Sequence, residues 1–145
     1  MVVSRSMETA PVTTSPTRSL KNALVAMQLE ELESLPVTFE GRLVGVIHRD
    51  AILDQVDGGV YGQLLDDPGL EAPVSECMQD VPAVCRPGDP LSSPAMMMNV
   101  LDLEQLPVVD ANRRLVGVLD RGVVMAEAIG ALREVERLMR FEVAA

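Results

Sequence analysis

The stretch that decides the fold reads LESLPVTFEGRLVGVIHRD at residues 32–50, and it returns as LEQLPVVDANRRLVGVLDRG at residues 103–122. The two copies are offset by 71 residues at Leu-Pro-Val and by 72 after one residue is inserted in the turn. Of 19 aligned pairs, 11 are identical, whereas unrelated segments would share roughly one. The chain therefore contains a duplicated unit.

Each copy has the pattern of a β-hairpin. In the first copy, apolar residues alternate along Leu35–Phe39, and Glu40-Gly41 is predicted to form a two-residue turn because glycine adopts positive φ without strain. Leu43–Ile47 is continuously apolar, which predicts a strand covered on both faces. A short helix is predicted to follow, through Gln55.

The segments before the two hairpins match as well. Met78 corresponds to Met7, and residues 83–85 correspond to residues 12–14, a short extended segment. A stretch with apolar residues at helical spacing then precedes each hairpin, and Thr17 is predicted to cap the first of these helices. Each repeat therefore reads strand, helix, strand, strand, helix.

The helix of the second repeat has two possible starts. Either Asp89 caps it and Pro94 kinks it, or Ser93 caps it and Pro94 is its first residue. We favour the second alternative because proline fits the first turn of a helix. The run Met96-Met97-Met98 in this helix is predicted to fill the core rather than to bind a soft metal.

These features resemble the CBS domain, and the tandem resembles a CBS pair, or Bateman module. The Leu-Pro-Val strand, the hairpin, and Arg-Leu-Val-Gly-Val followed by a short helix occur in both copies. The resemblance implies a mixed α/β (α+β) fold of two β-α-β-β-α units packed by pseudo-twofold symmetry, because three short strands cannot bury an apolar face alone. Leu43–Ile47 and Leu115–Leu119 are expected to be central strands.

The predicted divisions are a first unit at 7–56, a linker at 57–77 with a helical turn around Tyr61–Leu65, a second unit at 78–130, and a C-terminal helix extension at 131–145.

The resemblance also implies a regulatory role, in which clefts between the units bind adenine nucleotides. AMP, ADP, ATP or S-adenosylmethionine would be the ligand. The family motif runs from a strand glycine through two apolar residues to Thr or Ser, then two variable residues and Asp, whose carboxylate can accept from ribose hydroxyls. In this chain His48 and Asp120 take the hydroxyl position, and Ala51 and Val123 take the place of Asp. Nucleotide contacts are therefore expected to be non-standard.

The residues expected to contact such a ligand lie at strand ends. They are Thr13, Pro36, Val37, His48 and Arg49 in the first cleft, and Val84, Pro107, Val108, Asp120 and Arg121 in the second. A protonated His48 and the two arginines could meet a phosphate; the alternatives are a structural role for His48 and solvated or intra-chain-paired arginines. Asp50 and Asp120 are predicted to be helix caps rather than ribose ligands. Gly45 and Gly117 indicate a close approach of backbone or ligand, or helix packing.

Charge and composition exclude several classes of function. The net charge of −10 argues against nucleic acid and against an anionic membrane surface as partners. Two cysteines without a secretory signal predict reduced thiols in the cytoplasm, with Cys85 buried in a strand. A single histidine and no nucleophile–base pair predict that the protein is not an enzyme and holds no catalytic metal.

Two functions remain open. The first is a stand-alone regulatory module that senses an adenosine-type nucleotide. The second is an interaction module that has lost ligand binding and works by dimerisation or by docking a protein partner. The missing motif residues favour the second, and the clefts and basic residues that the fold implies favour the first.

The C-terminal helix is predicted to run from Gly122 to Phe141, far beyond its counterpart in the first repeat. It carries an apolar stripe at helical spacing. The stripe consists of Met125, Ile129, Leu132, Val135 and Met139, with Leu138 beside it. Either its second half folds back over the first unit, or it packs against a second subunit in a twofold homodimer, which we prefer slightly.

Overall fold

The computed structural model describes residues 1–56 and 64–144, with side chains described as far as residue 140. The helices are α1 (Leu20–Leu29), α2 (Arg49–Leu53), α3 (Ser92–Val100) and α4 (Arg121–Ala144). The strands are β1 (Ser34–Phe39), β2 (Arg42–His48), β3 (Gln105–Val109) and β4 (Leu115–Asp120). They form two antiparallel two-stranded sheets, β1–β2 and β3–β4.

The first hairpin has the predicted turn. Glu40 and Gly41 both adopt positive φ, 51° and 81°, which suits the right-handed twist of the strands that they join. The register pairs Ser34 with His48 and Leu35 with Ile47, and it shifts between Val37 and Thr38. The shift is a β-bulge, and a bulge bends the strand that contains it.

The extended segments of the two repeats lie parallel to the first strand of each hairpin. Thr14 bridges Val37 in one unit, and Cys85 bridges Val108 in the other. The hydrogen bonds are equivalent: the amide of Thr14 donates to Pro36 at 3.1 Å, and the amide of Cys85 donates to the corresponding prolyl carbonyl at 3.0 Å. The predicted order of helix, two hairpin strands and helix is thus confirmed for each repeat, and the first predicted strand is present as a single parallel β-bridge.

The predicted cap of α1 is wrong by two residues. Ser19 is the N-cap, and its hydroxyl accepts a hydrogen bond from the amide of Asn22 at 3.0 Å. Thr17 lies in the turn before the helix. Both are hydroxyl residues, so the local sequence could not separate them, whereas the pairing of Ser19 with Pro73 fixes where the helix begins.

The predicted start of α3 is also wrong. The helix begins at Ser92, its N-cap Leu91 makes no side-chain hydrogen bond, and Ser93 is inside the first turn. Pro94 is the third helical residue and is buried. Its missing N–H costs nothing there because amides of the first turn have no intrahelical acceptor.

The chain divides into two compact units that exchange their leading segments. The first-repeat unit comprises Pro11–Pro82 with Ala111–Leu115, and the second-repeat unit comprises Met1–Ala10, Ala83–Asp110 and Val116–Ala145. Residues 1–10 therefore belong with the second repeat, although they precede the first repeat in sequence.

Backbone hydrogen bonds hold the exchanged segments. In the first-repeat unit, Gln79 and Val46 exchange two bonds of 2.8 and 2.9 Å. In the second-repeat unit, Glu8 and Val118 do the same at 2.8 and 3.0 Å. These bridges give β2 and β4 a hydrogen-bonded neighbour at each edge. The prediction that Leu43–Ile47 is covered on both faces is wrong, because burial alternates along β2 and Val44 is 39% exposed.

Part of the segment predicted as a linker packs into the first-repeat unit. Short 3-10 helices lie at Leu64–Asp66, Pro68–Glu71 and Val74–Glu76. Leu70 and Val74 are fully buried in the core of this unit. Most of the turn predicted around Tyr61–Leu65 lies outside the described residues.

Each unit has its own aliphatic core. The side chains of the first-repeat core include Leu20, Met27, Leu35, Ile47 and Ile52; those of the second-repeat core include Cys85, Met98, Leu106, Leu119 and Val124. Of the methionine run, Met98 is fully buried, Met97 is partly buried, and Met96 is 69% exposed. The prediction of core filler thus holds for two of the three.

The last helix, α4, is longer than predicted at both ends, with 24 residues from Arg121 to Ala144. Every side chain at residues 129–140 is exposed, on the polar and the apolar faces alike. The described part of the chain therefore leaves this half of the helix uncovered. Within that part, no helix is both long enough and apolar enough to span a membrane.

Candidate functional site

In the first-repeat unit, the predicted residues gather where β1 begins and β2 ends. The amide of Thr14 donates to the carbonyl of Pro36, so the extended segment with Thr13 runs beside the start of β1. On the other side of β1, His48 pairs with Ser34, two register positions from Pro36. Arg49 follows as the first residue of α2.

The side chain of Thr14 was missed by the sequence analysis, which named its neighbour. Thr14 is 4% exposed, and its hydroxyl has no hydrogen-bond partner among the described residues. An unpaired buried hydroxyl costs free energy, and such a group often indicates an unseen water, ion or ligand. The exposed Thr13 offers no such indication. Alternation along the strand could have identified Thr14 as the inward residue.

Two of the predicted ligand residues have side chains in the cores. Val37 and its counterpart Val108 are both 0% exposed. Only their backbone atoms could therefore face a ligand, and the same backbones carry the bridges to Thr14 and Cys85.

The second-repeat unit assembles the corresponding set. The amide of Cys85, next to Val84, donates to the carbonyl of Pro107, and Asp120 and Arg121 stand at the junction of β4 and α4. Burial raises the pKa of the Cys85 thiol to about 12, and the nearby carboxylate of Asp89 adds to the shift. A thiol held protonated in this way is inert as a nucleophile.

Both arginines have intra-chain partners. The guanidinium of Arg49 lies 3.2 Å from the carboxylate of Glu33, and that of Arg121 lies 2.8 Å from Asp102 and 3.6 Å from Glu104. The backbone repeats this relationship, because each arginine amide donates to the carbonyl of the corresponding glutamate. A phosphate would have to compete with these carboxylates.

The acidic partners Glu33 and Glu104 were not foreseen as part of the site. Both glutamates and both arginines are identical between the repeats, and this was the available signal. The pairs are partly exposed, so they are weak and salt-sensitive, and a doubly charged phosphate could displace them.

His48 and Asp120 occupy the same position of the motif but behave differently. His48 is exposed at the end of β2 and makes no side-chain bond to the helix that follows. The carboxylate of Asp120 accepts from the amide of Val123 at 3.3 Å, which confirms the predicted cap. Asp50 is an exposed residue of the first turn of α2 rather than its cap.

The strand glycines accept a close approach of backbone and methionine. A Cβ on Gly45 would stand 3.0 Å from the carbonyl oxygen of Gln79 and 3.2 Å from the sulfur of Met78. On Gly117 it would stand 2.8 Å from both the carbonyl oxygen of Glu8 and the sulfur of Met7. Of the explanations open from sequence, backbone approach is the one observed.

Neither position that the family motif gives to aspartate carries a carboxylate in this chain. Ala51 is half-buried in α2, and Val123 is 43% exposed in α4. Across residues 1–56 and 64–140, no three His, Cys, Asp or Glu side chains converge as metal ligands would.

Comparison with known proteins identifies the family. The CBS domain model matches twice, at residues 3–58 and 74–130, which together cover most of the chain. The chain belongs to the CBS domain family, and its repeats form a CBS pair of the α+β class.

Three relatives illustrate the similarity. The CBS domain-containing protein YhcV of Bacillus subtilis is 30% identical over 121 residues, which are 83% of this chain and 80% of that protein. The crystal structure of CBSX2, a CBS-pair protein from Arabidopsis thaliana, is 28% identical and superposes with a TM-score of 0.76 over 91% of this chain and 96% of its own. Its complex with AMP is 27% identical, with a TM-score of 0.73 over 90% and 97%.

A longer protein also matches. MJ1225 from Methanocaldococcus jannaschii, a putative archaeal homolog of g-AMPK, is 25% identical with a TM-score of 0.75 over 87% of this chain. The present chain spans only 47% of MJ1225.

Proposed function

We propose that this protein is a regulatory CBS-pair module that senses an adenosine-type nucleotide through contacts that differ from the family motif. CBS pairs are generally regulatory rather than catalytic, and we propose no enzymatic activity for this chain. The observation that carries the proposal is the unpartnered, buried hydroxyl of Thr14 beside the backbone of Pro36. The AMP complex of CBSX2 supports the choice of ligand class.

The contacts we assign follow from what each side chain can offer. The hydroxyl of Thr14 would bond a polar edge of the base or sugar. His48, exposed and uncommitted at the start of α2, would meet a phosphate when protonated. Ribose would lack its usual carboxylate, so the affinity would be modest and dominated by base and phosphate. The set around Asp120 is the weaker candidate, because its carboxylate is used as a helix cap.

The experiment that tests this is a thermal-shift screen with AMP, ADP, ATP and S-adenosylmethionine. A ligand that binds only the folded state at 100 times its Kd stabilises by about 2.7 kcal/mol. We expect at least one adenosine compound to raise Tm when it is added at concentrations from micromolar to low millimolar. No shift with any of the four at millimolar concentration overturns the sensor proposal.

A matched pair of variants locates the site. Thr14→Val replaces the hydroxyl with a methyl group, and the loss of one hydrogen bond worth about 0.5–1.5 kcal/mol should weaken binding roughly two- to thirteenfold. Thr17→Val makes the same change at an exposed position and should leave the affinity unchanged. Calorimetry that gives the same Kd for wild type and Thr14→Val removes Thr14 from the site.

The second candidate is an interaction module that binds no nucleotide and works as a homodimer or by docking a protein partner. The exposed apolar half of α4 favours it, with Leu132 69% and Met139 61% exposed. Homodimer formation is compatible with both functions, and we propose it for this chain. The absence of nucleic-acid and membrane partners remains part of the proposal and is supported by the net charge of −10. A cytoplasmic location also remains part of it and is supported by the two free cysteines.

A further inference from the structure

The described residues of the chain leave the half of α4 beyond residue 128 uncovered. All its side chains from residue 129 to 140 are exposed, and five of them are large and apolar. These are Ile129, Leu132, Val135, Leu138 and Met139, which are 50–69% exposed. Together these side chains form an apolar stripe of the kind that marks a contact with another protein surface.

The same helix borders a groove. An apolar groove of about 390 Å³ lies within the second-repeat unit, between the start of α3 and α4, with Met1 at its edge. Its walls include three alanines, Ala95, Ala128 and Ala131. Small side chains leave room for large ones, so the groove can accept knobs from another helix.

The knobs are present on α4 itself, whose Leu132 and Val135 also line the groove and whose Met139 lies one turn beyond Val135. Met125, Ala128, Leu132, Val135 and Met139 follow spacings of 3, 4, 3 and 4, the seam of a helix pair. Leu138 lies beside this seam on the same side as Ala131. The helix thus carries small residues, Ala128 and Ala131, near its middle and large ones, Leu138 and Met139, nearer its C-terminal end.

We propose that the groove is filled by α4 of a second copy of this chain, running antiparallel about a twofold axis near residues 133–134. This arrangement places Met139 of each copy on Ala128 of the other, and Leu138 on Ala131. A parallel pair would set small residues against small and large against large, which leaves a void at one end and a clash at the other. The twofold axis makes the contact isologous, so it closes at two copies.

The charge of α4 suits self-association. Its 24 residues hold four arginines and four glutamates and are therefore neutral, although the chain carries −10. Arg137 pairs with Glu134 and Arg140 with Glu136 inside the helix, so these charges need no partner across the contact. Because α4 is neutral, two copies of the acidic chain can pack along it with little electrostatic repulsion.

The inference rests on the proposed homodimer and names its geometry, and disulfide trapping tests it. In a Cys77→Ala background, one chain carries Ala128→Cys and another, with a mass tag, carries Met139→Cys. We expect oxidation to link the two different chains and not to link either variant to itself, because disulfides need Cα atoms within about 7 Å. Met139→Cys linked to itself indicates a parallel pair and overturns the proposal. Met96→Cys, equally exposed on α3, is the control that reports random collision.

Sedimentation supplies a second measurement that does not depend on oxidation. Leu138→Ala with Met139→Ala alters only exposed side chains, so the monomer should fold, and we expect dimer affinity to fall at least about tenfold. Leu29→Ala, at a position that is 76% exposed in the first-repeat unit, should not change it. Two results overturn the antiparallel dimer. One is that Leu29→Ala weakens dimer affinity while the double variant does not, and the other is a wild type that is monomeric at micromolar concentration. Nucleotide-induced stabilisation would survive that result, which separates this proposal from the sensor function.

Discussion

The two repeats build the same hydrogen-bond framework but place different chemistry on it. The extended segment carries Thr14 in one and Cys85 in the other, both buried and both paired to the first hairpin strand. The threonine hydroxyl is unsatisfied, whereas the thiol weakly donates to the carbonyl of Pro107 at 3.8 Å. The comparison teaches that the backbone pattern of the repeat is kept while the side-chain chemistry on it differs, with an unpaired hydroxyl in the first-repeat unit and a hydrogen-bonded thiol in the second.

The helices differ in the same way. The first repeat caps α1 with Ser19, but its counterpart Pro90 has no hydroxyl, and α3 starts without a side-chain cap. The closing helix has five residues in the first repeat and 24 in the second. The first-repeat unit is thus the better candidate for a ligand, and the second-repeat unit for a protein contact.

The largest difference expected at neutral pH concerns the strand glycines. Gly117→Ala forces a Cβ to within 2.8 Å of the carbonyl oxygen of Glu8, whereas Gly45→Ala leaves 3.0 Å to that of Gln79. We expect both to destabilise, by about 1–3 kcal/mol, with Gly117→Ala the more costly. Urea unfolding measures this. Equal losses would show that the backbone relaxes equally in both units and would remove this asymmetry.

The second difference is one of pH dependence. The Cys85 pKa is raised from 9.0 to about 12 by burial. The folded state therefore holds this proton more tightly, so the contribution to stability is complete below pH 9 and is lost as pH rises towards 12. Relative to Cys85→Ala, wild type should lose about 1.4 kcal/mol per pH unit in this window. Cys77→Ala is the control, and its free energy of unfolding should keep the pH dependence that Cys85 causes. Identical pH profiles of stability for wild type and Cys85→Ala would contradict the assignment of a buried Cys85 thiol.

The third difference lies in the helix caps. Ser19→Ala removes the acceptor of the Asn22 amide and should cost about 1 kcal/mol. Ser93→Ala, at the position where a cap was predicted but not found, should change stability by less than about 0.5 kcal/mol. Thermal unfolding of the two variants distinguishes a real cap from an unused serine, and a larger loss for Ser93→Ala would reverse the assignment.

The smallest effect is expected at Thr14. Thr14→Val keeps the volume and removes an unsatisfied hydroxyl, so the stability of the ligand-free protein should stay within about 1 kcal/mol of wild type or rise. Denaturant unfolding without nucleotide measures this. A loss well above that would show that the hydroxyl is already bonded in the free protein, for example to an ordered water, and would weaken its assignment to a ligand.

Local sequence was sufficient for some features of the site and not for others. The hairpin, the strand ends that carry His48 and Arg49, and the cap at Asp120 follow from turn chemistry and short-range pattern. Alternation along the extended segment could identify Thr14 as the inward residue, but whether its hydroxyl finds a partner depends on the strand beside it. The partners of Arg49 and Arg121 lie 16 and 17–19 residues away, beyond the reach of helical or strand periodicity.

By itself, the sequence determined the duplication, the order of elements in each repeat, and the family, because these depend on identities at a fixed offset and on local periodicity. Only the tertiary structure decided that Met7 and Glu8 pack on β4, and that Met78 and Gln79 pack on β2. It also decided that Leu70 and Val74 of the supposed linker belong to a core. These contacts join segments distant in sequence, and no propensity encodes them: they form because each two-stranded sheet has a free edge and an apolar face to cover.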